Sequence, residues 1–253
     1  MYALRGGLSA WQEAGYPAVS IQPGQQITAC AEADGTSPPV RMARQPGEGA
    51  APPAHPHTFL SGLVGSYLSQ PGPPVRKELT VLFVDIADST ATVLHQPPEV
   101  ALALVQSFME VVTEVALAYC GDVKDYEGDG ALLYFESVSE ATQAAFAIRA
   151  ALRRTGPDRP QPLQARLSLN VGDVIIGVIG SALRRSVALI GPSINLAARL
   201  LKQIPPGGII ATAAVVERLR REAPPLAERF QLWHERLELK GFHNEVVRAF
   251  FIP

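Results

Sequence analysis

The stretch Leu79–Ile86, LTVLFVDI, constrains this chain more than any other. A nearly continuous apolar, β-rich run reads as a central strand covered on both faces. It ends in a carboxylate, Asp85, within Phe83-Val84-Asp85-Ile86-Ala87-Asp88-Ser89-Thr90. A charge at the end of a buried strand is costly unless a cation or hydrogen bonds meet it. The fold must therefore bring a partner to Asp85.

The 253 residues can build a core, being 47% hydrophobic, with 18% charged and a formal net charge of −2. That composition excludes wholesale disorder, and the near-neutral balance argues against a grip on nucleic-acid backbones. Two cysteines, Cys30 and Cys120, cannot make a disulfide framework or a multi-cysteine zinc site. No uninterrupted apolar run approaches the ~18–20 residues of a membrane span, and the N-terminus lacks the order of a signal peptide. The expectation is a soluble, cytoplasmic protein with no membrane span.

Half of the 22 prolines precede Arg76. Residues 20–57 are expected to be a flexible linker, since their proline-rich part has no apolar period with which to offset ordering entropy. Thr58–Leu68 carries a helical apolar stripe that Pro71-Gly72-Pro73-Pro74 ends, so residues 58–75 read as a lead-in helix and linker. Residues 76–253 form the main domain. Pro97-Pro98-Glu99 opens a helix to about Tyr119, and Gly121–Glu136 reads as a hairpin turning at Gly128-Asp129-Gly130. Ser137 and Glu140 make a capping box for a helix ending near Arg153. Two strands are expected around Gly172 (Leu163–Val171 and Asp173–Ile179), then a short strand Val187–Ile190 and a helix from Pro192. A strand at Ile209–Ala211, a helix from about Ala213, and strands around Leu237 and Val247–Phe251 complete an α+β pattern with helices on a largely antiparallel sheet.

Asp129 sits at the Gly-Asp-Gly hairpin tip. With Asp85 on an adjacent strand, two carboxylates could hold a pair of divalent metals, the arrangement used in phosphoryl and nucleotidyl transfer. Singly, each aspartate reads equally well as a turn or N-cap residue. Asn195 and Arg199 lie four apart on one helix face. They are either a solvated polar edge or a grip for ribose and phosphate.

These features in this order resemble the catalytic domain of class III nucleotide cyclases, from about Glu78 to Ile252. The resemblance rests on Phe-x-Asp-Ile-x-x-Ser-Thr, the Gly-Asp hairpin with Leu133-Tyr134-Phe135, and Gly177-Val178-Ile179-Gly180-Ser181. It continues through the Asn-x-x-x-Arg helix and Leu239-Lys240-Gly241-Phe242. It implies a ferredoxin-like βαββαβ core and a head-to-tail homodimer with active sites shared across the interface. It also implies two divalent metal ions (Mg2+ or Mn2+) on Asp85, the Ile86 carbonyl and Asp129, with phosphate held by backbone N–H groups around Asp88, Ser89 and Thr90. Asn195 matches the ribose-orienting asparagine and Arg199 the transition-state arginine. The implied reaction converts a nucleoside triphosphate to its 3′,5′-cyclic monophosphate and pyrophosphate, with the regulatory partner undefined.

The base-selecting positions depart from the family pattern. Adenylate cyclases of this class usually carry lysine four residues before the second metal aspartate. Here that position is Asp125, and Lys124 stands one residue earlier. A one-residue shift turns a strand side chain to the opposite face, so Lys124 is not expected in the base pocket unless a bulge re-aims it. The partner position, three before Gly191, is Ala188, which has no hydrogen-bonding side chain. Asp125, an acceptor, suits guanine, while bacterial members with irregular base pairs favour ATP as the family reading. A guanylate or relaxed-specificity cyclase is the alternative, and a catalytically weak nucleotide-binding regulatory dimer is the alternative of another class. Residues 2–19 resemble the C-terminal tail of a rhodanese domain, whose nucleophile loop would precede them. They read as a remnant of residues 1–19 without sulfurtransferase activity, and Cys30 as an idle linker cysteine.

Overall fold

A computed structural model describes residues 72–89, 96–154, 163–181, 183–242 and 246–253. The rhodanese-like tail, the linker with Cys30, the lead-in helix and Thr90 lie outside the described residues.

The elements are β1 (Val75–Ile86), α1 (Pro98–Ala118), β2 (Asp122–Glu127), β3 (Gly130–Phe135), α2 (Val138–Leu152), β4 (Ala165–Ser181) and β5 (Arg184–Ile190). They continue with α3 (Pro192–Leu201), β6 (Ile209–Thr212), α4 (Ala213–Glu222), α5 (Pro224–Ala227), β7 (Gln231–Leu237) and β8 (Val247–Ile252). Seven strands run in the spatial order β2-β3-β1-β4-β6-β8-β7, with β5 pairing to β4. Within β2-β3-β1-β4 every neighbouring pair is antiparallel. Threaded through α1 and α2, that order is the ferredoxin-like βαββαβ core the sequence implied.

The apolar run of β1 is continuous because both of its faces are covered. Leu82, Val84 and Ile86 join Leu133, Phe135 and Leu167 against Phe108 and Val112 of α1, Ile148 and Leu152 of α2, and Val215 and Leu219 of α4. Leu79 and Val81 face the other way, with Leu132, Tyr134, Val174 and Ile176, and meet Ile194 and Ala197 of α3. Three buried polar groups dock α3. Ser168 Oγ donates to the Ala197 carbonyl at 2.7 Å, and Asn170 Nδ2 donates to the Ser193 carbonyl at 2.9 Å. Thr212 Oγ1 donates to Asn170 Oδ1 at 2.7 Å. Buried donors satisfied in this way fix one helix position and penalise others.

Two expectations change. The two strands expected around Gly172 are one 17-residue strand, β4. It stays intact because β1 pairs with it without interruption from Ala165 to Ile176. Gly172 serves close approach instead, since a Cβ there would lie 3.1 Å from Ser193 Cβ of α3. The short strand expected at Val187 begins at Arg184, because it pairs back onto the projecting end of β4. Finally, α1, with a mean hydropathy of 1.7, is by length and composition long and apolar enough to cross a bilayer, although the sequence has no uninterrupted apolar run of that length. Here its Phe108, Met109, Val112, Val115 and Ala116 are buried on the sheet.

Ser137 Oγ caps α2 by accepting from the Glu140 N–H at 3.3 Å. The β2–β3 turn uses Gly128 at φ 65, a left-handed conformation that glycine adopts without strain. Gly121, just before β2, lies under the Phe135 ring, where an added Cβ would stand 2.1 Å from the nearest ring carbon. Gly121→Ala is therefore expected to lower the unfolding free energy by about 1–3 kcal/mol through overpacking. Urea denaturation measures this, with Gly72→Ala, where nothing lies within 4 Å, as the unchanged control.

Candidate functional site

The carboxylates sought at the end of β1 come together. Asp85 pairs in register with Gly130 of β3 on one side and Arg166 of β4 on the other. The Ile86 N–H donates to the Asp129 carbonyl at 3.2 Å, tying the strand end to the hairpin tip. Gly130 lets the two strands approach closely here, since a Cβ there would lie 3.0 Å from the Val84 carbonyl oxygen. Burial raises the Asp85 carboxyl to about pKa 6, and the charge and hydrogen bond of Asp129 push the same way. Arg166 and the Ile86 N–H oppose that rise. The two carboxyls thus compete for charge at one spot, the electrostatic problem that a divalent cation resolves. Among the described residues no group of three or more His, Cys, Asp or Glu side chains gathers. A hard cation held here would rely on two carboxylates, a backbone carbonyl such as that of Ile86, and oxygens of a phosphate ligand, a donor set that suits Mg2+.

Beyond Asp85 the chain turns through Asp88, at φ 57. Its carboxylate accepts from Arg166 Nη2 at 3.0 Å, while Arg166 Nε donates to the Ile204 carbonyl at 3.1 Å. Ser89 follows, half-buried. Arg166 is a site residue that the sequence did not reveal. It carries no motif signal, and only the β1–β4 register sets it opposite Asp85.

The base-selecting strand holds the conditional feature. In the β2–β3 ladder, Val123 pairs with Leu133 and Asp125 with Leu132, leaving Lys124 as an inserted residue in a β-bulge. Bulges beside functional sites re-aim side chains. The Lys124 ammonium meets the carboxylate of its sequence neighbour Asp125. The lysine side chain is only 8% exposed and that of Asp125 is 53% exposed. Asp125 pairs with Leu132, on the sheet face that carries Asp85 and α3. Ala188, in β5 opposite Gly177, is buried and brings no polar group.

A second feature lies along α3. Asn195 and Arg199 are exposed on one helix face, as their spacing implied. They line a groove of about 830 Å3 with Lys202, Lys240, Gly241 and Phe242. Among the described residues no carboxylate lines it, and neither Asp85 nor Asp129 belongs to its walls. One chain thus carries an acidic centre and, apart from it, a cationic groove large enough for a nucleotide.

The description of the adenylate and guanylate cyclase catalytic domain matches residues 74–252. The adenylyl cyclase CyaB from P. aeruginosa superposes with a TM-score of 0.59 at 21% identity, over 72% of this chain and 96% of that one. The guanylate cyclase domain of RhGC from Catenaria anguillulae, in complex with GTP, gives 0.62 at 18% identity, over 72% and 98%. Adenylate cyclase 1 of Rhizobium meliloti is 24% identical over 159 residues, covering 57% of this chain and 24% of that protein. An uncharacterised protein of Mycobacterium bovis is 31% identical over 152 residues, covering 58% of this chain. The match spans 28% of that relative's length, so the curated relatives are much longer proteins. A family match from 74 to 252, on a ferredoxin-like core with paired aspartates at the end of β1 and an Asn-x-x-x-Arg helix, makes this chain a member of the adenylate and guanylate cyclase catalytic domain family.

Proposed function

We propose that this chain is an adenylate cyclase acting as a head-to-tail homodimer. The carrying observation is the division of charge among the described residues of one chain: an acidic centre at Asp85 and Asp129, and apart from it a groove lined by Arg199, Lys202 and Lys240. A triphosphate needs both, and two copies placed acid to groove supply two complete sites. Isologous pairing of that kind is the commonest route to a closed dimer.

In this reading Asp85, Asp129 and the Ile86 carbonyl hold two divalent ions. When bound, those ions lower the pKa of the ribose 3′-hydroxyl and neutralise the triphosphate. Asn195 of the opposing copy orients the ribose, so that its 3′-oxygen lies in line with the α-phosphorus. Arg199 donates to the α-phosphate oxygens, where charge gathers in the transition state. Arg166, Lys240 and backbone N–H groups around Asp88–Thr90 hold the β- and γ-phosphates. The 3′-oxygen bonds to the α-phosphorus as the bridging oxygen departs with pyrophosphate, and the hydroxyl proton passes to solvent. The choice of adenine rests on Lys124. Aimed by the bulge to the site face, its ammonium can donate to adenine N1, while Asp125 beside it accepts from the N6 amino group. Ala188 would then owe its tolerance to Asp125, which provides the acceptor that its own position lacks.

Three outcomes test the reading. Cyclisation is assayed with ATP and GTP in Mn2+ and Mg2+. Lys124→Ala is expected to lower kcat/KM for ATP about tenfold to a hundredfold, the size of a lost hydrogen bond to a charged group. Wild-type product mainly from GTP would instead make Asp125 a guanine reader. Arg199→Ala is expected to lose about 10²–10³ in kcat. Mixed one-to-one with an inactive Asp85→Ala chain, it should recover about a quarter of wild-type activity, since random pairing makes half the dimers mixed, each with one intact site. No recovery in a dimeric mixture would overturn the shared site.

The metal centre has its own pH signature. Folded, Asp85 holds its proton up to about pH 6, against 3.8 for an ordinary aspartate. The folded state therefore binds more protons than the unfolded state between those values, and stability of the metal-free protein falls as pH rises through that window. Melting in chelator should show a Tm decline from pH 4 to pH 6 that is flatter in Asp85→Asn. Mg2+ or Mn2+ at pH 7 should raise the wild-type Tm and leave Asp85→Asn nearly unmoved.

A further inference from the structure

The inserted residue of β2 has two places it could go, and the structure shows what decides between them. The C-terminal half of β2 is held twice. The tight turn at Gly128 fixes its pairing with β3, and Tyr126 and Thr113 of α1 share a hydrogen bond of 2.7 Å between their hydroxyls. With that half held, the extra residue can be absorbed as a bulge at Lys124. Alternatively, the N-terminal half can slip by one, placing Lys124 opposite Leu133 and Val123 opposite Tyr134. A one-residue slip exchanges the two faces of a strand. Lys124 would then point to the side of α1 and α2, away from Asp85, and Val123 would leave the core it packs against.

The N-terminal half carries a polar pin. The Tyr134 hydroxyl, on a residue 1% exposed, donates to Asp122 Oδ2 at 2.8 Å across the β2–β3 ladder. The other carboxylate oxygen, Oδ1, accepts from the Val123 N–H at 2.8 Å, the last backbone donor before the bulge. Burial and the Asp122 charge both push the Tyr134 phenol above its ordinary pKa, so it remains the donor. In the slipped register Asp122 would face Phe135, which has no donor, and the buried Tyr134 hydroxyl would lose its partner. An unsatisfied buried hydroxyl opposes that slip.

We infer that Asp122 and Tyr134 are positioning residues for nucleotide selection, pinning the register that forces the bulge at Lys124 and so aims its ammonium at the base. The inference rests on the proposed reading of Lys124 as the adenine contact. It assigns specificity to two residues that touch neither base nor phosphate, and to a cross-strand hydrogen bond rather than to the pocket wall.

The experiment compares kcat and KM for ATP and GTP in the full chain for Tyr134→Phe, Asp122→Ala, their double variant and Lys124→Ala. Tyr134→Phe removes one oxygen and leaves the core volume, and the Tm of each variant is recorded beside its kinetics. Expected is a rise in ATP KM of about fivefold to tenfold with kcat within about twofold, as one buried hydrogen bond is lost. The ATP-to-GTP ratio should move towards that of Lys124→Ala. The double variant should be no worse than Asp122→Ala alone, because both substitutions cut the Tyr134–Asp122 bond and only Asp122→Ala also removes the acceptor of the Val123 N–H. A fall in kcat for ATP and GTP alike, with the ratio unchanged, would show loss of stability only and overturn the inference. If Lys124→Ala shifts the ratio while Tyr134→Phe and Asp122→Ala do not, the pin is overturned and Lys124 stands. If Lys124→Ala itself leaves the ratio unchanged, the adenine reading fails and the inference falls with it.

Discussion

A carboxylate that burial and the neighbouring Asp129 would rather neutralise, Asp85, is the constraint on which this structure turns. The meeting of the two acids requires β1 to lie beside the β3 hairpin, and it requires β4 on the other side to bring Arg166 into register with Asp85. That pair of neighbours is the centre of the ferredoxin-like strand order. The apolar length of β1 buries the strand deeply enough to raise the Asp85 pKa, and the hairpin delivers the second acid. The same sheet face receives α3, held by Ser168 and Asn170 through buried hydrogen bonds. Core packing and site electrostatics are consequently one arrangement seen from its two ends.

The helix that closes this face also separates the charges. By burying Ile194, Ala197 and Leu200, α3 turns Asn195 and Arg199 outwards into the groove with Lys240. A polar pair four residues apart on an otherwise packed helix has nowhere else to point. The chain then presents negative charge in one place and positive charge in another, with no acid among the described groove walls to neutralise the second. Such a division is what electrostatic complementarity between two copies needs. The chain spans 28% of the length of a curated relative that it matches.

A single inserted residue illustrates how local sequence and global packing can disagree. Counted along the chain, Lys124 falls on the wrong face for a base contact, and Asp125 falls in its place. Counting assumes an unbroken period of two, which holds only while the ladder is regular. Gly121 beneath Phe135, Asp122 bonded to Tyr134 and Tyr126 bonded to Thr113 fix the strand on both sides of the insertion. The ladder breaks between them, and the two charged side chains meet in an ion pair. Gly172 shows the converse: a residue that reads as a strand break is a close contact for α3, because continuous pairing with β1 outweighs the local preference.

The elements whose residues share one periodic environment were legible from the chain alone. The buried run of β1, the proline-led start of α1, the Ser137 cap of α2, the Gly-Asp turn and the Asn195–Arg199 face each encode their structure within a few residues. The α+β class and the family resemblance follow from their order. Arg166 opposite Asp85, the bulge at Lys124, the unbroken β4 and the cationic groove were decided only by the tertiary structure. Each depends on register between strands distant in sequence. Register is set by which side chains can be buried together and which buried polar groups can find partners, and neither quantity belongs to any single segment.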